Sequence, residues 1–240
     1  MAIMSRKIEY RDADTPLAGL LFNDPTRTGK GPGLLLVHHG GGLDDHAKTH
    51  SHSYAELGFV VFACDMYGAG VAGNRERTLA LLGEMRGDPG KLCRRAQAGL
   101  DVLKAQHQLD GRIAAIGYCF GGMTVLQMAR GGAGLSGVVS VHGSLATIFP
   151  AEPGAIKSKI LVCHGALDPH VPMPHVTAFA DEMNHAGADW QLVLYGGAMH
   201  GFTHKNATAI PGVAYHAAAD ARSTIAIRDF FFELFGPADS

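Results

Sequence analysis

Residues 113 to 129 read IAAIGYCFGGMTVLQMA, which is an apolar strand, a turn of the form Gly-x-Cys-x-Gly and the start of a helix. Such a turn is so tight that it needs small residues on both sides of its central side chain, here Gly117 and Gly121. The following helix directs its N-terminal N–H groups at the sulfur of Cys119, which favours a thiolate. The stretch predicts a nucleophile elbow that carries cysteine, although a buried cysteine in a packed turn is the alternative.

A cysteine nucleophile needs a base, and the base needs an acid that orients it. The apolar strand at 160–164 runs out into a loop that contains Asp168. A later strand at 190–195 is followed by a glycine-rich loop that contains His200. Each residue alone also fits an ordinary turn or loop. Because nucleophile, acid and histidine follow one another as they do in α/β-hydrolases, we expect Cys119, Asp168 and His200 to act together.

Strand and helix patterns alternate along the chain, which is typical of a mostly parallel sheet covered by helices on both faces. We therefore expect one α/β domain over residues 1–240, a three-layer sandwich of α/β-hydrolase type. An antiparallel pair is predicted at 7–12 and 17–23. The other predicted strands lie at 33–38, 59–65, 112–118, 136–141, 159–164 and 190–195. The predicted helices lie at 45–57, 76–86, 89–107, 121–130, 174–186 and 215–235. The less regular segment 68–90 is a candidate lid or pocket wall.

Three segments together resemble the dienelactone hydrolases, also called carboxymethylenebutenolidases: GYCFGG at 117–122, GALDPHVP at 165–172 and AMHGF at 198–202. The resemblance covers nearly the whole chain and includes DMYG at 65–68, which is similar to the family's Asp-x-Tyr-Gly. It implies an esterase or lactonase that works through a Cys-His-Asp triad and a thioester. This mechanism requires no cofactor.

The first central strand ends in the glycine-rich loop VHHGGGL at 37–43. In this fold such a loop supplies one backbone N–H of the oxyanion hole, and the residue after the nucleophile supplies the other. Gly40 and Phe120 are the predicted donors, with a flexible turn of no catalytic role as the alternative for the loop.

Two positions depart from the family that the chain resembles. The family usually has a glutamate in this loop that holds the resting cysteine, and His39 stands there instead. His39 is predicted to line the pocket as a second base, a cation beside the thiolate or an oxyanion donor, unless it points into solvent or packing. His204 stands where the family has an arginine that binds the substrate carboxylate. A neutral ester or lactone is therefore at least as good a candidate substrate as a dienelactone, and activated phosphotriesters are candidate promiscuous substrates.

The remaining pocket candidates are aromatic side chains that equally fit core packing. They are Tyr67, Tyr118, His142 and Phe202. Other arginines are candidate carboxylate contacts, although solvated faces are the commoner place for them. They are Arg75, Arg77, Arg86, Arg94 and Arg95.

A formal net charge of −2 gives the chain no general attraction to nucleic acid or to an anionic membrane. The sequence has no apolar run of about 20 residues and no signal-peptide core near its start, so we expect a cytoplasmic protein. The thiol nucleophile also needs a reducing compartment, and Cys64, Cys93, Cys119 and Cys163 show no CxxC spacing. The expected partner is a small molecule, and the chain is expected to be a monomer or homodimer.

Two further motifs and two rival functions have less support in the sequence than the esterase or lactonase interpretation. GAGVAG at 68–73 matches a dinucleotide motif but does not follow the first strand of a βαβ pair. His46, His50 and His52 lack the converging spacing of a zinc site and are predicted to be surface residues. The fold also permits a receptor or sensor that binds a lactone-like ligand without turnover. A peroxide-sensing thiol would need a resolving cysteine, and none stands near Cys119 in the sequence.

Overall fold

The computed structural model describes residues 3–206 and 210–236. Internal contacts group the described residues into two compact units, and the second unit begins at Gly117. The boundary lies inside a strand, β5 (Leu109–Tyr118). The expectation of a single domain stays a prediction.

The first unit is built on the hairpin of β1 (Met4–Asp12) and β2 (Thr15–Asn23), which pair antiparallel. β2 also pairs antiparallel with β4 (Val60–Cys64), and β4 pairs parallel with β3 (Gly31–Val37). β3 and β4 are almost wholly buried, because they are continuous apolar runs with no polar face.

Three helices belong to this unit, and each begins at a side-chain cap. They are α1 (Asp45–Glu56), α2 (Arg75–Gly87) and α3 (Pro89–Lys104). The carboxylates of Asp44 and Asp88 and the amide of Asn74 accept first-turn N–H groups, which have no partner inside a helix.

The second unit contains the end of β5, then three parallel strands in the order β6 (Gly137–Val141), β7 (Lys159–Gly165) and β8 (Trp190–Tyr195). Its helices are α4 (Phe120–Arg130), α5 (Met173–Ala186) and α6 (Ala217–Phe235). β6 and β7 are buried along nearly their whole length, so the residues that follow them start from fixed positions.

The eight strands are mostly parallel and alternate with six helices among the described residues, which confirms the predicted α/β class. The largest differences in bounds are of three residues: β1 begins at Met4 rather than residue 7, α3 ends at Lys104 rather than residue 107, and β5 begins at Leu109 rather than residue 112. The Asp110-Gly111 pair is typical of a turn, but Gly111 takes φ 96° inside the strand. Nowhere in the described ranges is a helix long and apolar enough to cross a membrane.

Candidate active site

Cys119 sits between β5 and α4 with φ 52° and ψ −109°, a backbone conformation that non-glycine residues rarely adopt. Its N–H donates to the carbonyl of Val141 at the end of β6 (2.9 Å), and its own carbonyl accepts from the N–H of Met123 in α4 (3.2 Å). Strain of this kind costs about 1–3 kcal/mol and persists where neighbouring structure enforces it. The two hydrogen bonds fix the cysteine backbone in that conformation.

The glycines around Cys119 are required by contact rather than by flexibility. A Cβ atom at Gly117 would lie 2.0 Å from the carbonyl oxygen of Gly121, and one at Gly122 would lie 2.6 Å from the Ser140 hydroxyl oxygen. Any larger side chain at these positions would force β5, α4 and β6 apart, because Cβ atoms do not approach other atoms so closely. The sequence signal that predicted the elbow therefore has a steric basis in the structure.

The structure brings Cys119, His200 and Asp168 into one hydrogen-bonded row within the second unit. His200 Nε2 lies 3.0 Å from Cys119 Sγ, and His200 Nδ1 donates to Asp168 Oδ2 over 2.8 Å. Asp168 follows β7 and His200 follows β8. Parallel strands end at the same edge of a sheet, which places the loops of the second unit together.

Asp168 is held by two further donors, so its orientation does not depend on His200 alone. Its Oδ1 accepts from the backbone N–H groups of His170 (2.8 Å) and Val171 (3.1 Å), and its side chain is fully buried. Burial alone would raise the pKa of Asp168, but the hydrogen bond from His200 and the backbone donors lower it from its usual value. Asp168 is therefore a carboxylate at neutral pH.

His200 is a strong base in this setting. Burial alone would lower its pKa, but the hydrogen bonds and negative charges of Asp168 and Cys119 raise the pKa of His200 to about 10. At neutral pH the imidazole then carries a proton on each nitrogen and can donate one to the sulfur of Cys119. The arrangement fits an imidazolium and thiolate pair in the resting protein.

Two other histidines contact the ring of His200. His142 is buried at the end of β6 with φ 40°, its Nε2 lies 2.9 Å from Thr203 Oγ1, and its ring centroid lies 5.4 Å from that of His200. His170 lies 5.3 Å from His200 in a T-shaped contact. Sequence reasoning named His142 as a pocket candidate but missed His170 and Thr203, although His170 stands in the segment that carries Asp168.

The other predicted residues of the second unit lie beside this row or close to it in the chain. The rings of Tyr118 and Phe202 contact His142 at centroid distances of 6.0 and 5.1 Å. Phe120 is the first residue of α4, so its N–H belongs to the turn whose N–H groups point out of the helix end. The backbone N–H of His204 donates to the carbonyl of Gly201 (2.8 Å), and His204 is partly exposed.

The predicted residues of the first unit lie in and beside the loop after β3. His39 Nε2 donates to Asp44 Oδ2 (2.9 Å), while its Nδ1 accepts from the N–H of Gly41 (3.0 Å). The hydroxyl of Tyr67 donates to the carbonyl of Gly40 (3.2 Å). Burial alone would raise the pKa of Asp44, but the hydrogen bond from His39 lowers it. The two ring nitrogens of His39 are thus engaged within its own loop.

The candidate arginines divide into two groups. Arg75, Arg77, Arg86 and Arg94 are exposed. Arg95 is buried instead, where it donates to Asp12 Oδ2 (2.8 Å), to the carbonyl of Met66 and to Thr15 Oγ1. The Arg95 side chain therefore links α3 to the β1–β2 hairpin by hydrogen bonds. These contacts are structural, so the guanidinium is not a candidate for binding a substrate carboxylate.

A strained cysteine between a strand and a helix, with an acid and a histidine after two later strands, is the arrangement of an α/β-hydrolase. Residues 17–235 match the dienelactone hydrolase family, and the chain belongs to that family. Family membership makes it a hydrolase that acts on esters.

Solved structures agree with this placement. A dienelactone hydrolase-like promiscuous phosphotriesterase from metagenomic libraries is 40% identical, with a TM-score of 0.91 over 98% of this chain and 100% of the other. A putative dienelactone hydrolase from Klebsiella pneumoniae shares the fold at 18% identity, with a TM-score of 0.80 over 96% of this chain and 99% of the other. A search of curated proteins gave no match.

Proposed function

We propose that this protein hydrolyses small neutral esters or lactones by nucleophilic attack of Cys119. The observation that carries the proposal is the continuous row in which His200 lies 3.0 Å from Cys119 Sγ and 2.8 Å from Asp168 Oδ2. A nucleophile within hydrogen-bond reach of a base, which is itself oriented by an acid, is the arrangement that acyl transfer requires.

The first half of the reaction forms a thioester. The thiolate of Cys119 attacks the carbonyl carbon, and the carbonyl electron pair moves onto the oxygen to form a tetrahedral intermediate. When that intermediate collapses, the bond to the alkoxide or enolate breaks, and the leaving group takes the proton of His200 Nε2, which leaves His200 neutral. Asp168 stays ionised throughout and keeps the Nδ1 proton of His200 in place.

The second half returns the enzyme to its resting state. Neutral His200 accepts a proton from water, and the resulting hydroxide attacks the thioester carbon. The C–S bond breaks, the acyl group leaves as a carboxylic acid that ionises in water, and Cys119 regains its thiolate beside the protonated His200. Each step uses only these side chains and water.

The oxyanion needs hydrogen-bond donors that are in place before the reaction. We assign one to the N–H of Phe120 in the first turn of α4, and the assignment of the second donor to Gly40 remains a prediction from the sequence. Removal of one such donor typically costs about 2.7–4 kcal/mol of transition-state stabilisation.

A neutral substrate is favoured by the residues that stand where the family binds a carboxylate. His204 replaces an arginine there, four candidate arginines are exposed, and Arg95 is occupied by Asp12. An activated phosphotriester is a second substrate class, because a thiolate can also attack a tetrahedral phosphorus centre and expel a good leaving group. The 40% identical relative that is named a promiscuous phosphotriesterase supports this extension. We also place the protein in the cytoplasm, because a thiolate nucleophile persists in a reducing compartment.

The decisive experiment compares the wild type with Cys119→Ala on chromogenic esters, lactones and a phosphotriester. Cys93→Ala is the matched control, because it removes a half-buried thiol on α3 that takes no part in the proposed chemistry. We expect the control to keep wild-type turnover and Cys119→Ala to lose it. Intact mass measured before steady state should show an acyl adduct on the wild type with a slowly hydrolysed ester. Equal turnover by Cys119→Ala would refute the nucleophile assignment.

A further inference from the structure

The segment 210–216, here called the strap, lies along the loop that carries His200. The N–H of His200 donates to the carbonyl of Gly212 (3.2 Å), and the N–H of Ala214 donates to the carbonyl of His200 (3.1 Å). These two bonds form a parallel bridge between His200 and Val213. The backbone of the candidate base is therefore held by the strap through both of its polar groups.

The strap also touches the loop that carries Asp168. His170 Nε2 donates to the carbonyl of Pro211 over 3.0 Å. Gly212 has φ 78°, and a Cβ atom there would lie 2.3 Å from Pro169 Cγ and 3.3 Å from His170 Nε2. Only glycine fits a position that combines a left-handed backbone with so close an approach.

The C-terminal end of the strap is fixed as well. The N–H of His216 donates to the carbonyl of Phe202 (3.0 Å), and His216 Nδ1 accepts the N–H of Ala219 at the start of α6. The strap is thus anchored to α6 and lies against both the acid loop and the histidine loop.

We propose that the strap positions His200 relative to Asp168, with Gly212 and His170 as the residues that set the spacing. The hydrogen bond between Asp168 and His200 depends on the separation of two loops, and Gly212 is in contact with both of them. Gly212 bonds the backbone of His200 on one side and packs on Pro169, the neighbour of Asp168, on the other. This inference rests on the proposed triad, because it concerns how that triad is held.

The size of the effect follows from the contact distance. A carbon at 2.3 Å from Pro169 Cγ must retreat by about 1 Å to reach an ordinary contact, and the strap or the acid loop must move with it. A displacement of about 1 Å in a reacting geometry costs on the order of 10²-fold in rate. The loss should fall on kcat rather than KM, because the substrate does not contact the strap in this proposal.

The experiment compares Gly212→Ala with Gly187→Ala. Gly187 ends α5 with a similar φ of 66° and has no atom within 4 Å of an added Cβ, so its substitution carries the backbone strain without the collision. Two measurements are made on each variant: kcat and KM with a chromogenic ester, and the pH dependence of Cys119 alkylation by iodoacetamide. The second reports the pairing of Cys119 with His200 and needs no turnover.

We expect Gly212→Ala to lower kcat about 10²-fold and to move the alkylation profile of Cys119 to higher pH, while Gly187→Ala matches the wild type. Adding Pro169→Ala to Gly212→Ala removes the colliding Cγ atom. The double variant should have a kcat at least about tenfold above that of Gly212→Ala alone. If Gly212→Ala does not fold, His170→Ala tests the same contact and should shift the profile in the same direction. His170→Gln, which can still donate to the carbonyl of Pro211, should restore it.

Three results would overturn the proposal: a kcat for Gly212→Ala equal to that of Gly187→Ala, an unshifted alkylation profile, or no recovery on removal of the Pro169 ring. These outcomes are separate from failure of the proposed function. If Cys119→Ala kept full turnover, the triad would be wrong, whereas the alkylation profile would still report whether the strap controls the pairing of His200 and Cys119.

Discussion

Replacing Asp168 by asparagine tests the electrostatic core of the proposed mechanism. The side chain keeps its size, and its amide oxygen can still accept the N–H groups of His170 and Val171. The amide nitrogen then faces His200 Nδ1, where a carboxylate oxygen stood at 2.8 Å. Because an amide nitrogen donates and cannot accept, His200 must lose the Nδ1 proton and become a neutral imidazole with its proton on Nε2.

The expected magnitude follows from the pKa of His200. The protein raises that pKa from 6.5 to about 10 despite burial, and one pKa unit corresponds to about 1.4 kcal/mol. Asp168 and Cys119 share this effect, so loss of Asp168 should lower the pKa of His200. At neutral pH the imidazole then carries its only proton on Nε2, so it has no positive charge to stabilise the thiolate and no lone pair on Nε2 to act as a base, and we expect kcat/KM to fall about 10³- to 10⁴-fold.

The assay follows kcat/KM and the iodoacetamide reactivity of Cys119 between pH 5 and about 10. In Asp168→Asn the alkylation profile of Cys119 should move to higher pH, toward the pKa of a free cysteine, which is about 8.5. Asp181→Asn, on the exposed face of α5, controls for loss of one carboxylate from the same unit. An Asp168→Asn variant within tenfold of the wild-type kcat/KM, with an unshifted profile, would refute the role assigned to this acid.

Two further predictions concern other parts of the chain. Arg130→Met should lower the free energy of unfolding by about 3 kcal/mol in urea denaturation, because it leaves the largely buried carboxylate of Glu182 without its bidentate partner and with only the N–H of Ala151 as a donor. The exposed pair at Lys159 is the comparison, where Lys159→Met should cost no more than about 1 kcal/mol. His39→Ala should change the pH dependence of kcat/KM, because His39 is the proposed second base or cation of the pocket. An unchanged pH profile together with an unchanged Cys119 alkylation profile would refute that role and leave His39 with its hydrogen bond to Asp44.

The sequence predicted the elements of this fold because their patterns are local. β3, β4, β6 and β7 are continuous apolar runs, and buried parallel strands need no other signal. The glycines beside Cys119 are likewise local, since the turn itself requires them. The start of β5 at Leu109 was not predicted, and Gly111 there takes a positive φ inside the strand, a conformation that sequence patterns associate with turns.

The sequence could not predict contacts that depend on the path of the chain rather than on a local pattern. The bridge from His200 to Val213 uses only N–H and C=O groups, which every residue has, so no residue type marks it. The contact of His142 with Thr203 joins residues 61 positions apart and has no periodic pattern. His39 was predicted as a pocket residue from its alignment with the family's glutamate, and its pairing with the cap residue Asp44 depends on the local path of the loop.

The identity of the nucleophile matters for the resting charge of His200, while the position of the nucleophile does not depend on that identity. Cys119 is placed by its backbone, through the bonds to Val141 and Met123 and the close packing of Gly117 on Gly121. None of these contacts uses the sulfur. The sulfur instead contributes to the raised pKa of His200 through its hydrogen bond and its charge. A hydroxyl, which ionises far less readily than a thiol, would leave His200 neutral at rest and make proton transfer part of the attack. In the mechanism that we propose, cysteine leaves the proton already on His200, so the loops that hold this histidine, including the strap, would stabilise an imidazolium before any substrate arrives.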